Sequence, residues 1–262
     1  MRFAFYSRND ENSENIRKTL HGKLIAEGFI YDEQKPDLLI FIGGDGTFLR
    51  AVHEHLESIE KIRFIGIRSG TLGFFCDYGN DEIDQLVFDL KNEKTQPGTY
   101  RLLEADLNYQ TRTTKVFAVN EFRLENPFRT MICEVRINGV KLEHFRGNGL
   151  IVSSNLGSSA YNKSLGGALV DPSVSMLQLT EIATIQNNVY HSLGSSLVLG
   201  PERTVNLIGD LNRSVVGYDH VFLETGENLK SIEIRLSEKT VQILHKLNHN
   251  YIDLLHKTFV VD

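Results

Sequence analysis

A short apolar run that ends in a glycine-rich loop restricts the folds open to this chain. Residues Asp37–Ile42 form a segment typical of a strand buried on both faces, and Gly-Gly-Asp-Gly-Thr follows it directly at residues 43–47. A helical pattern continues from there to Leu56. A strand that is apolar on both sides belongs to a parallel sheet with helices on its two faces. The first part of the chain therefore predicts an α/β domain with a parallel sheet.

The pattern changes after Pro97-Gly98. Before that point apolar strands alternate with amphipathic helices, whereas after it short strands follow one another closely. Asn138-Gly139 separates two of these strands and is a strong hairpin signal, since a type I′ turn needs two residues with positive φ. We predict an α/β domain at residues 1–98 that carries the glycine loop, an all-β, layered sandwich-like domain at 99–245, and a C-terminal tail at 246–262.

The composition of the chain narrows its possible partners. The 262 residues include 28 Lys and Arg against 34 Asp and Glu, a formal charge of −6, whereas a general nucleic-acid binder usually has a basic surface. Two cysteines are too few for a secreted disulfide scaffold. The sequence shows neither a signal-peptide pattern nor an apolar run of about 18 residues. We expect a cytoplasmic protein that binds neither nucleic acid nor a membrane.

The loop after the buried strand suggests a phosphate site. In open α/β sheets ligands bind beyond the carboxyl ends of the strands, and a helix N-terminus offers free N–H groups to an anion. A tight strand-to-helix turn is the alternative interpretation. However, Asp45 inside such a loop would repel phosphate unless it accepts a proton or holds a metal. The loop lacks the Gly-Lys-Ser/Thr of a Walker A motif, and Leu49 stands at the third glycine position of a dinucleotide fingerprint.

Three motifs in a fixed order reveal a resemblance to a known family. Gly-Gly-Asp-Gly-Thr is followed by Val-Asn-Glu-Phe at residues 119–122 and by GSSAYNKSLGGALVDP at residues 157–172, and this series resembles the NAD kinase family. SGTLGFF at 69–75 and GYDH at 217–220 also match family segments, so the resemblance covers nearly the whole chain. It implies phosphoryl transfer from ATP to the 2′-hydroxyl of the adenosine ribose of NAD, a tail that packs on the first domain, and a homodimer or homotetramer.

The resemblance also implies roles for individual residues. Asp45 is the expected catalytic carboxylate that takes up the hydroxyl proton, and a role as ligand to the Mg²⁺ that accompanies ATP is the alternative. The phosphate loop comprises Gly43, Gly44, Gly46, Thr47 and Arg50. The expected NAD-binding residues are Phe74, Asn120, Glu121, Arg146, Asn148, Leu156, Ser159, Ala160, Tyr161, Ser164 and His220. Among them, Asn120 is implied at the adenine and Glu121 at the ribose hydroxyls, where a carboxylate can accept from both.

Several positions depart from the family pattern. They are Asn148 where Asp is usual, Asn155-Leu156 where Pro and a small hydroxyl residue are common, Ser159 where Thr is usual, and Thr71 where His is common. We expect Asn148 to keep an acceptor oxygen for the ligand, with Gly147 and Gly149 leaving room for adjustment. The departures motivate a non-catalytic dinucleotide sensor as an alternative function. A lipid kinase with the same loop is a second alternative, which predicts an apolar entry surface; the polar segments at 120–122 and 160–164 argue against it.

Two histidines near the end of the chain have metal-pair spacing. His245 and His249 stand four residues apart and would share one face of a helix. Because no HExxH motif is present, we interpret them as part of a solvated tail. Asn162 and Lys163 are likewise interpreted as turn and surface residues. We therefore predict no metal site built by protein side chains.

Overall fold

The computed structural model describes residues 1–70, 72–226 and 228–260. Thr71, one of the departures from the family pattern, lies outside the described residues. The chain packs into two compact units, the first formed by Met1–Tyr100 with the segment from Lys239 onward, and the second by Arg101–Glu238. The domain boundaries after residues 98 and 245 stay a prediction.

The described residues form sixteen strands and five α-helices. In chain order the strands are β1 (Arg2–Ser7), β2 (Ile30–Tyr31), β3 (Leu38–Ile42), β4 (Arg63–Ile67), β5 (Thr95–Tyr109), β6 (Thr113–Ala118), β7 (Glu121–Glu125), β8 (Met131–Ile137), β9 (Val140–Gly147), β10 (Gly149–Ser154), β11 (Leu177–Ile182), β12 (Leu197–Leu199), β13 (Val205–Ile208), β14 (Val215–Tyr218), β15 (Val221–Glu224) and β16 (Leu229–Lys246). The helices are α1 (Glu11–Ala26), α2 (Asp45–Glu54), α3 (Ile83–Lys91), α4 (Tyr161–Ser164) and α5 (Tyr251–Leu255). Within the described part of the chain, none of these helices has the length and apolar character needed to cross a membrane.

A parallel sheet forms the centre of the first unit. Its strands lie in the order β2–β1–β3–β4, and the end of β16 pairs in parallel with β4, where Ile243 lies opposite Phe64. All five residues of β3 are buried, because helices cover both faces of the sheet. The predicted α/β fold of this part of the chain is confirmed.

Two apolar layers hold the helices of the first unit on the sheet. One cluster joins residues of α1 and α3 to the central strands; it includes Leu20, Leu24, Leu38, Ile40, Ile65 and Leu86. On α2, the fully buried Phe48 packs against Phe41 and Phe75 with ring centroids 5.1 and 4.4 Å apart. Such ring pairs contribute about 0.5–1.5 kcal/mol beyond their buried area. This packing fixes α2 and therefore the glycine loop from which it begins.

Two antiparallel layers form the second unit. One sheet has the order β12–β11–β10–β7–β14–β15. In the other layer β13 lies between β16 and β8, β8 pairs with β9, and β5 pairs with β16 and β6. A shared apolar cluster takes side chains from both layers, among them Phe122, Phe145, Leu150, Val152 and Leu207. The predicted layered β-domain is confirmed.

The predicted hairpin at Asn138-Gly139 is present. β8 ends at Ile137 and β9 begins at Val140, and the two turn residues have φ of 49° and 78°. Both values are positive, as a type I′ turn requires.

The C-terminal segment belongs to the first unit. α5 and a turn of π-helix at His256–Val260 follow β16. The rings of Tyr251 and Phe259 lie 6.4 and 5.6 Å from the ring of Phe74. The tail therefore packs against the segment that follows β4.

Candidate functional site

The glycine loop joins β3 to α2 and leaves its backbone open. A Cβ atom at Gly43 would lie 2.2 Å from Thr47 Oγ1, so the close approach of these two residues requires glycine. At Gly44, by contrast, a Cβ would meet none of the described atoms within 4 Å, and at Gly46 it would meet only the Arg50 guanidinium at 3.9 Å or more. Packing does not explain these two glycines. The free space at the half-buried Gly44 and the exposed Gly46 suits the close approach of a phosphate group to the backbone at a helix N-terminus.

Asp45 is the first residue of α2, and backbone amides orient its half-buried carboxylate. Oδ1 accepts from the Phe74 N–H at 2.9 Å and the Phe75 N–H at 3.2 Å, and Oδ2 lies 3.1 Å from the Phe74 nitrogen. Burial raises the pKa of Asp45, and the two amide hydrogen bonds oppose this only in part. The result is a fixed carboxylate with more affinity for a proton than an exposed Asp has.

Gly73 is a site residue that the sequence reasoning missed. A Cβ at this position would lie 2.4 Å from Asp45 Oδ1, so any other residue would displace the carboxylate. The next residue, Phe74, was predicted to bind NAD; here its N–H holds Asp45 and its ring packs on the tail. Arg50 is exposed, and its guanidinium lies 3.5 Å from the Gly46 carbonyl oxygen.

Asn120 and Glu121 carry buried acceptor atoms at the start of β7. The two residues are 8% and 4% exposed. Within the described part of the chain, Asn120 Oδ1 and Glu121 Oε2 have no hydrogen-bond partner. A buried polar atom without a partner costs about 1–3 kcal/mol. These two atoms are therefore suited to accept hydrogen bonds from a ligand.

Burial also changes the protonation of Glu121. It raises the pKa of this carboxyl to about 8, with a further contribution from the charge of Asp219. Arg123 opposes the shift, but its guanidinium is 3.5 Å from Glu121 Oε1, a long contact. Glu125 adds a smaller repulsion. Glu121 is thus the most perturbed carboxyl among the residues that we assign to the site.

Asp219 anchors the backbone of this motif and was not among the predicted site residues. Its carboxylate accepts from the N–H groups of Val119 and Asn120 at 2.8 and 2.7 Å. On the other side, Gly157 lies so near that a Cβ would be 2.0 Å from the Asn120 carbonyl oxygen. Both contacts position Asn120, and both depend on residues far from it in sequence.

The segment after β10 approaches the same motif. Tyr161 Oη donates to Glu125 Oε1 at 3.3 Å, and the Arg123 guanidinium lies 5.7 Å from the Tyr161 ring centroid. Leu156, Ser159 and Ala160 are half-buried in the turn that precedes α4, whereas Ser164 at its end is exposed. The structure therefore brings Asn120, Glu121 and the residues around Tyr161 together.

Two polar residues of this segment have structural roles. Asn155, one of the departures from the family pattern, accepts from the Leu156 N–H at 3.0 Å and donates to the Pro172 carbonyl at 2.6 Å. The interpretation of Asn162 as a turn or surface residue is wrong. It is fully buried, accepts from Thr180 Oγ1 at 2.9 Å, and leaves no space for a Cβ at Gly167.

The side-chain amide nitrogen of Asn148 donates a hydrogen bond within the protein. Nδ2 donates to the backbone carbonyl of Asn126 at 3.1 Å. The expectation that the flanking glycines leave room is wrong. A Cβ at Gly147 would lie 2.9 Å from two backbone carbonyl oxygens, and one at Gly149 would lie 2.5 Å from that of Leu124. An Asp at position 148 would lack the donor that this arrangement uses.

The remaining predicted NAD-binding residues lie at different distances from this group. Arg146 lies over the ring of Tyr190, 4.3 Å from its centroid. His220 is exposed in the turn between β14 and β15, next to Asp219. In the pairing of β7 with β10, Gly149 is opposite Glu125 while Ser153 is opposite Glu121. Asn148 precedes Gly149 and therefore lies five residues, or roughly 17 Å, along the strands from the position opposite Glu121.

The interpretation of His245 and His249 as part of a solvated tail is wrong. His245 belongs to β16 and is 6% exposed, and His249 is half-buried in the turn that follows. Both rings lie against Asp77, with Nδ1 to carboxylate distances of 3.2 and 2.8 Å. The spacing of four residues spans a strand end and a turn rather than one face of a helix.

Two family models match the chain. Residues 6–94 match the ATP-NAD kinase N-terminal domain, and residues 120–243 match the ATP-NAD kinase C-terminal domain. The chain is 34% identical to NAD kinase 1 of Bacillus cereus over 265 aligned positions that cover all of both proteins. It is 37% identical to an NAD kinase of Shouchella clausii over 248 positions, which cover 92% of each.

Two solved structures have a similar fold. A yeast NADH kinase complexed with NADH has a TM-score of 0.83 at 16% identity, with 100% of this chain and 89% of that chain covered. An NAD kinase from Archaeoglobus fulgidus in complex with ATP has a TM-score of 0.75 at 20% identity, with 94% of each chain covered. The two-domain architecture and the sequence matches define a nucleotide kinase of the α/β plus β-sandwich type. The chain belongs to the ATP-NAD kinase family.

Proposed function

We infer that this protein is an NAD kinase that transfers the terminal phosphoryl group of ATP to the 2′-hydroxyl of the adenosine ribose of NAD, giving NADP and ADP. Family membership supports the reaction. The observation that carries it in the structure is the Asp45 carboxylate, which is fixed by two backbone amides at the start of α2. The glycine loop that precedes α2 leaves room for the phosphate groups of ATP to approach its backbone.

Asp45 is the proposed general base. Phosphoryl transfer depends mainly on positioning and charge stabilisation, with a carboxylate that accepts the hydroxyl proton. Burial raises the pKa of Asp45 and makes it a better acceptor than an exposed Asp. Gly43, Gly44, Gly46 and Thr47 form the proposed phosphate loop, and Arg50 supplies positive charge.

Mg²⁺ is the proposed cation, and it enters with ATP. This ion prefers oxygen ligands, keeps several waters, and is held in such enzymes by one or two carboxylates together with substrate phosphates. A carboxylate has about four lone-pair positions. The amides of Phe74 and Phe75 use only part of them on Asp45, so this residue also fits a place in the ion's coordination shell.

The NAD-binding residues are proposed as a group. Glu121 and Asn120 offer buried acceptors to the ribose hydroxyls and the adenine amino group. Tyr161 offers an aromatic face with a polar tip. The proposed remainder comprises Phe74, Arg146, Asn148, Leu156, Ser159, Ala160, Ser164 and His220. We further propose that the protein is cytoplasmic and forms a homodimer or homotetramer. Light scattering of the purified protein measures the mass of the oligomer.

A direct assay tests the reaction. The purified protein is incubated with ATP, Mg²⁺ and NAD, and NADP is measured with an NADP-specific dehydrogenase. We expect NADP from NAD, the 3′-deoxy analogue of NADP from the 3′-deoxyadenosine analogue of NAD, and no phosphorylated product from the 2′-deoxyadenosine analogue. Binding of NAD without any NADP would identify a dinucleotide sensor instead. Equal phosphorylation of both deoxy analogues would contradict the proposed acceptor hydroxyl.

A further inference from the structure

Three side chains of the first unit converge outside the residues that we assign to the reaction. Asp77 follows the segment that holds Asp45, His245 is near the end of β16, and His249 precedes α5. Asp77 Oδ2 lies 3.2 Å from His245 Nδ1, and Oδ1 lies 2.8 Å from His249 Nδ1. The two imidazole rings pack together with centroids 4.2 Å apart. One potential ligand atom from each of the three residues lies within 4.8 Å of the other two.

The type and spacing of these atoms fit a transition metal. Two imidazole nitrogens and one carboxylate oxygen form a donor set that Zn²⁺ favours, with a fourth position left for water. Bonds of about 2.0–2.2 Å in a tetrahedral site separate neighbouring ligand atoms by about 3.4 Å. The separation of Asp77 Oδ2 from His245 Nδ1 is 3.2 Å, near this value, whereas that of Asp77 Oδ1 from His249 Nδ1 is 2.8 Å. An ion would therefore enter once the His249 ring moves back from Asp77 by about 0.6 Å.

Neighbouring groups orient the three ligands. Tyr100 Oη lies 3.2 Å from His245 Nε2, and the Lys246 N–H donates to Asp77 Oδ2 at 2.9 Å. A histidine that binds metal through one ring nitrogen normally donates the N–H of the other to an oxygen acceptor. Tyr100 is in the position to accept that bond from His245, which would leave Nδ1 free for the ion.

The burial and charge of the cluster also suit a cation. His245 is buried, while the side chains of Asp77 and His249 are 10% and 19% exposed. The Asp77 carboxylate supplies the negative charge that a cation site needs, since metal ligands bind in their deprotonated form.

We propose that Asp77, His245 and His249 bind one divalent transition-metal ion of the zinc class, distinct from the Mg²⁺ that accompanies ATP. Mg²⁺ prefers oxygen donors and does not suit two imidazoles. The ion links the C-terminal segment to residue 77, two positions after the amides that hold the Asp45 carboxylate. Its effect is to stabilise the docking of that segment in the first unit.

Cobalt provides a spectroscopic probe for this site. The full-length protein is stripped with a chelator and titrated with Co²⁺ near pH 8, where most histidine is neutral, in the presence of excess Mg²⁺. We expect one Co²⁺ per chain, a visible d–d absorption band of four-coordinate cobalt, and loss of the band on addition of Zn²⁺. The variant His249→Gln should lower the affinity more than about tenfold and abolish the band. The matched variant His256→Gln changes an exposed histidine of the same segment and should leave both unchanged.

Thermal unfolding gives a second measurement that does not depend on the folding of a variant. Zn²⁺ should raise the melting temperature of the wild-type protein and of His256→Gln, because an ion that binds only the folded state stabilises it. Absence of a cobalt band and of a zinc-dependent shift in the wild type would overturn the proposal. In that case Asp77 serves only as a hydrogen-bond acceptor for the two rings. Equal cobalt affinity in His249→Gln and the wild type would overturn it as well.

Discussion

Replacement of Glu121 by Gln should reduce the loss of folding stability that the protein undergoes as the pH rises. Burial raises the pKa of Glu121 from 4.5 to about 8 in the folded protein. A raised folded pKa means that the protonated form is favoured by folding. Its contribution is fully present below the unfolded pKa and is lost as the pH rises through the folded pKa. The window of falling stability therefore runs from about pH 4.5 to about pH 8.

The size of this effect follows from the shift. The folded and unfolded pKa values differ by 8 − 4.5 = 3.5, and each pKa unit is worth about 1.36 kcal/mol. Compared with low pH, the wild type therefore loses about 5 kcal/mol of unfolding free energy at pH values above the folded pKa, and roughly 3 kcal/mol at pH 7. Gln keeps the shape of the side chain and one acceptor oxygen but does not ionise. For a chain of this size, 3 kcal/mol corresponds to a difference in melting temperature of roughly 6–12 °C.

Melting temperatures measured across this pH range test the reasoning. We expect the curve of Glu121→Gln to fall less steeply than that of the wild type, with the largest difference near pH 8. The variant Glu57→Gln alters an exposed carboxylate and serves as the control. Parallel curves for the wild type and Glu121→Gln would show that Glu121 ionises without cost in the folded state. The assignment of a desolvated carboxyl to this position would then be wrong.

Five further predictions concern activity and packing. Asp45→Asn should lower turnover by about 10²–10⁴-fold with NAD affinity retained in calorimetry; near-normal turnover would exclude Asp45 as the base. Because burial raises the pKa of Asp45, kcat/KM of the wild type should fall on the acid side at a pH above the usual range of Asp, and a limb within that usual range would contradict this. Above about pH 8, where Glu121 is ionised, Glu121→Gln should weaken NAD binding about ten- to a hundredfold, and an unchanged calorimetric affinity there would move the residue out of the site. Gly73→Ala places a Cβ 2.4 Å from Asp45 Oδ1 and should reduce turnover by about 10²-fold, whereas normal kinetics would show that the carboxylate tolerates displacement. Asn148→Asp removes the donor to the Asn126 carbonyl and should cost about 1–3 kcal/mol of unfolding free energy, so an unchanged melting temperature would refute a role for that bond.

The glycine loop could be predicted because its signals are local. An apolar run, a break at glycine and a helical pattern adjoin one another between residues 37 and 56. The structure has the same succession in β3, the loop and α2. The hairpin at Asn138-Gly139 could be predicted for the same reason, since two adjacent residues determine the turn.

The contacts of Asp77 could not be predicted from local patterns. Its partner His245 lies 168 residues later in the chain, so only the fold brings them together. A clue to the conformation was present, because Val241, Ile243 and His245 alternate along a strand and are all buried. A helical period does not apply to His245 and His249, because a strand end and a turn lie between them.

Close backbone approach was the other feature that the sequence did not reveal. Gly73 and Gly157 are needed because another residue's atoms occupy the space of a side chain. Asp219 likewise acts on amides that are about a hundred residues away. A glycine or an Asp in a single sequence does not show which distant atom it meets.

The late position of β16 in the chain has a consequence for synthesis. β4 is paired with β3 on one side and, on the other, with residues that the ribosome adds only after the whole second unit. Until then β4, whose residues Phe64–Ile67 are buried in the finished protein, presents an open strand edge that other chains can pair with. A nascent chain therefore needs protection of this edge throughout most of its translation. A chain that stops after Glu238 should aggregate even though every residue of the glycine loop is present.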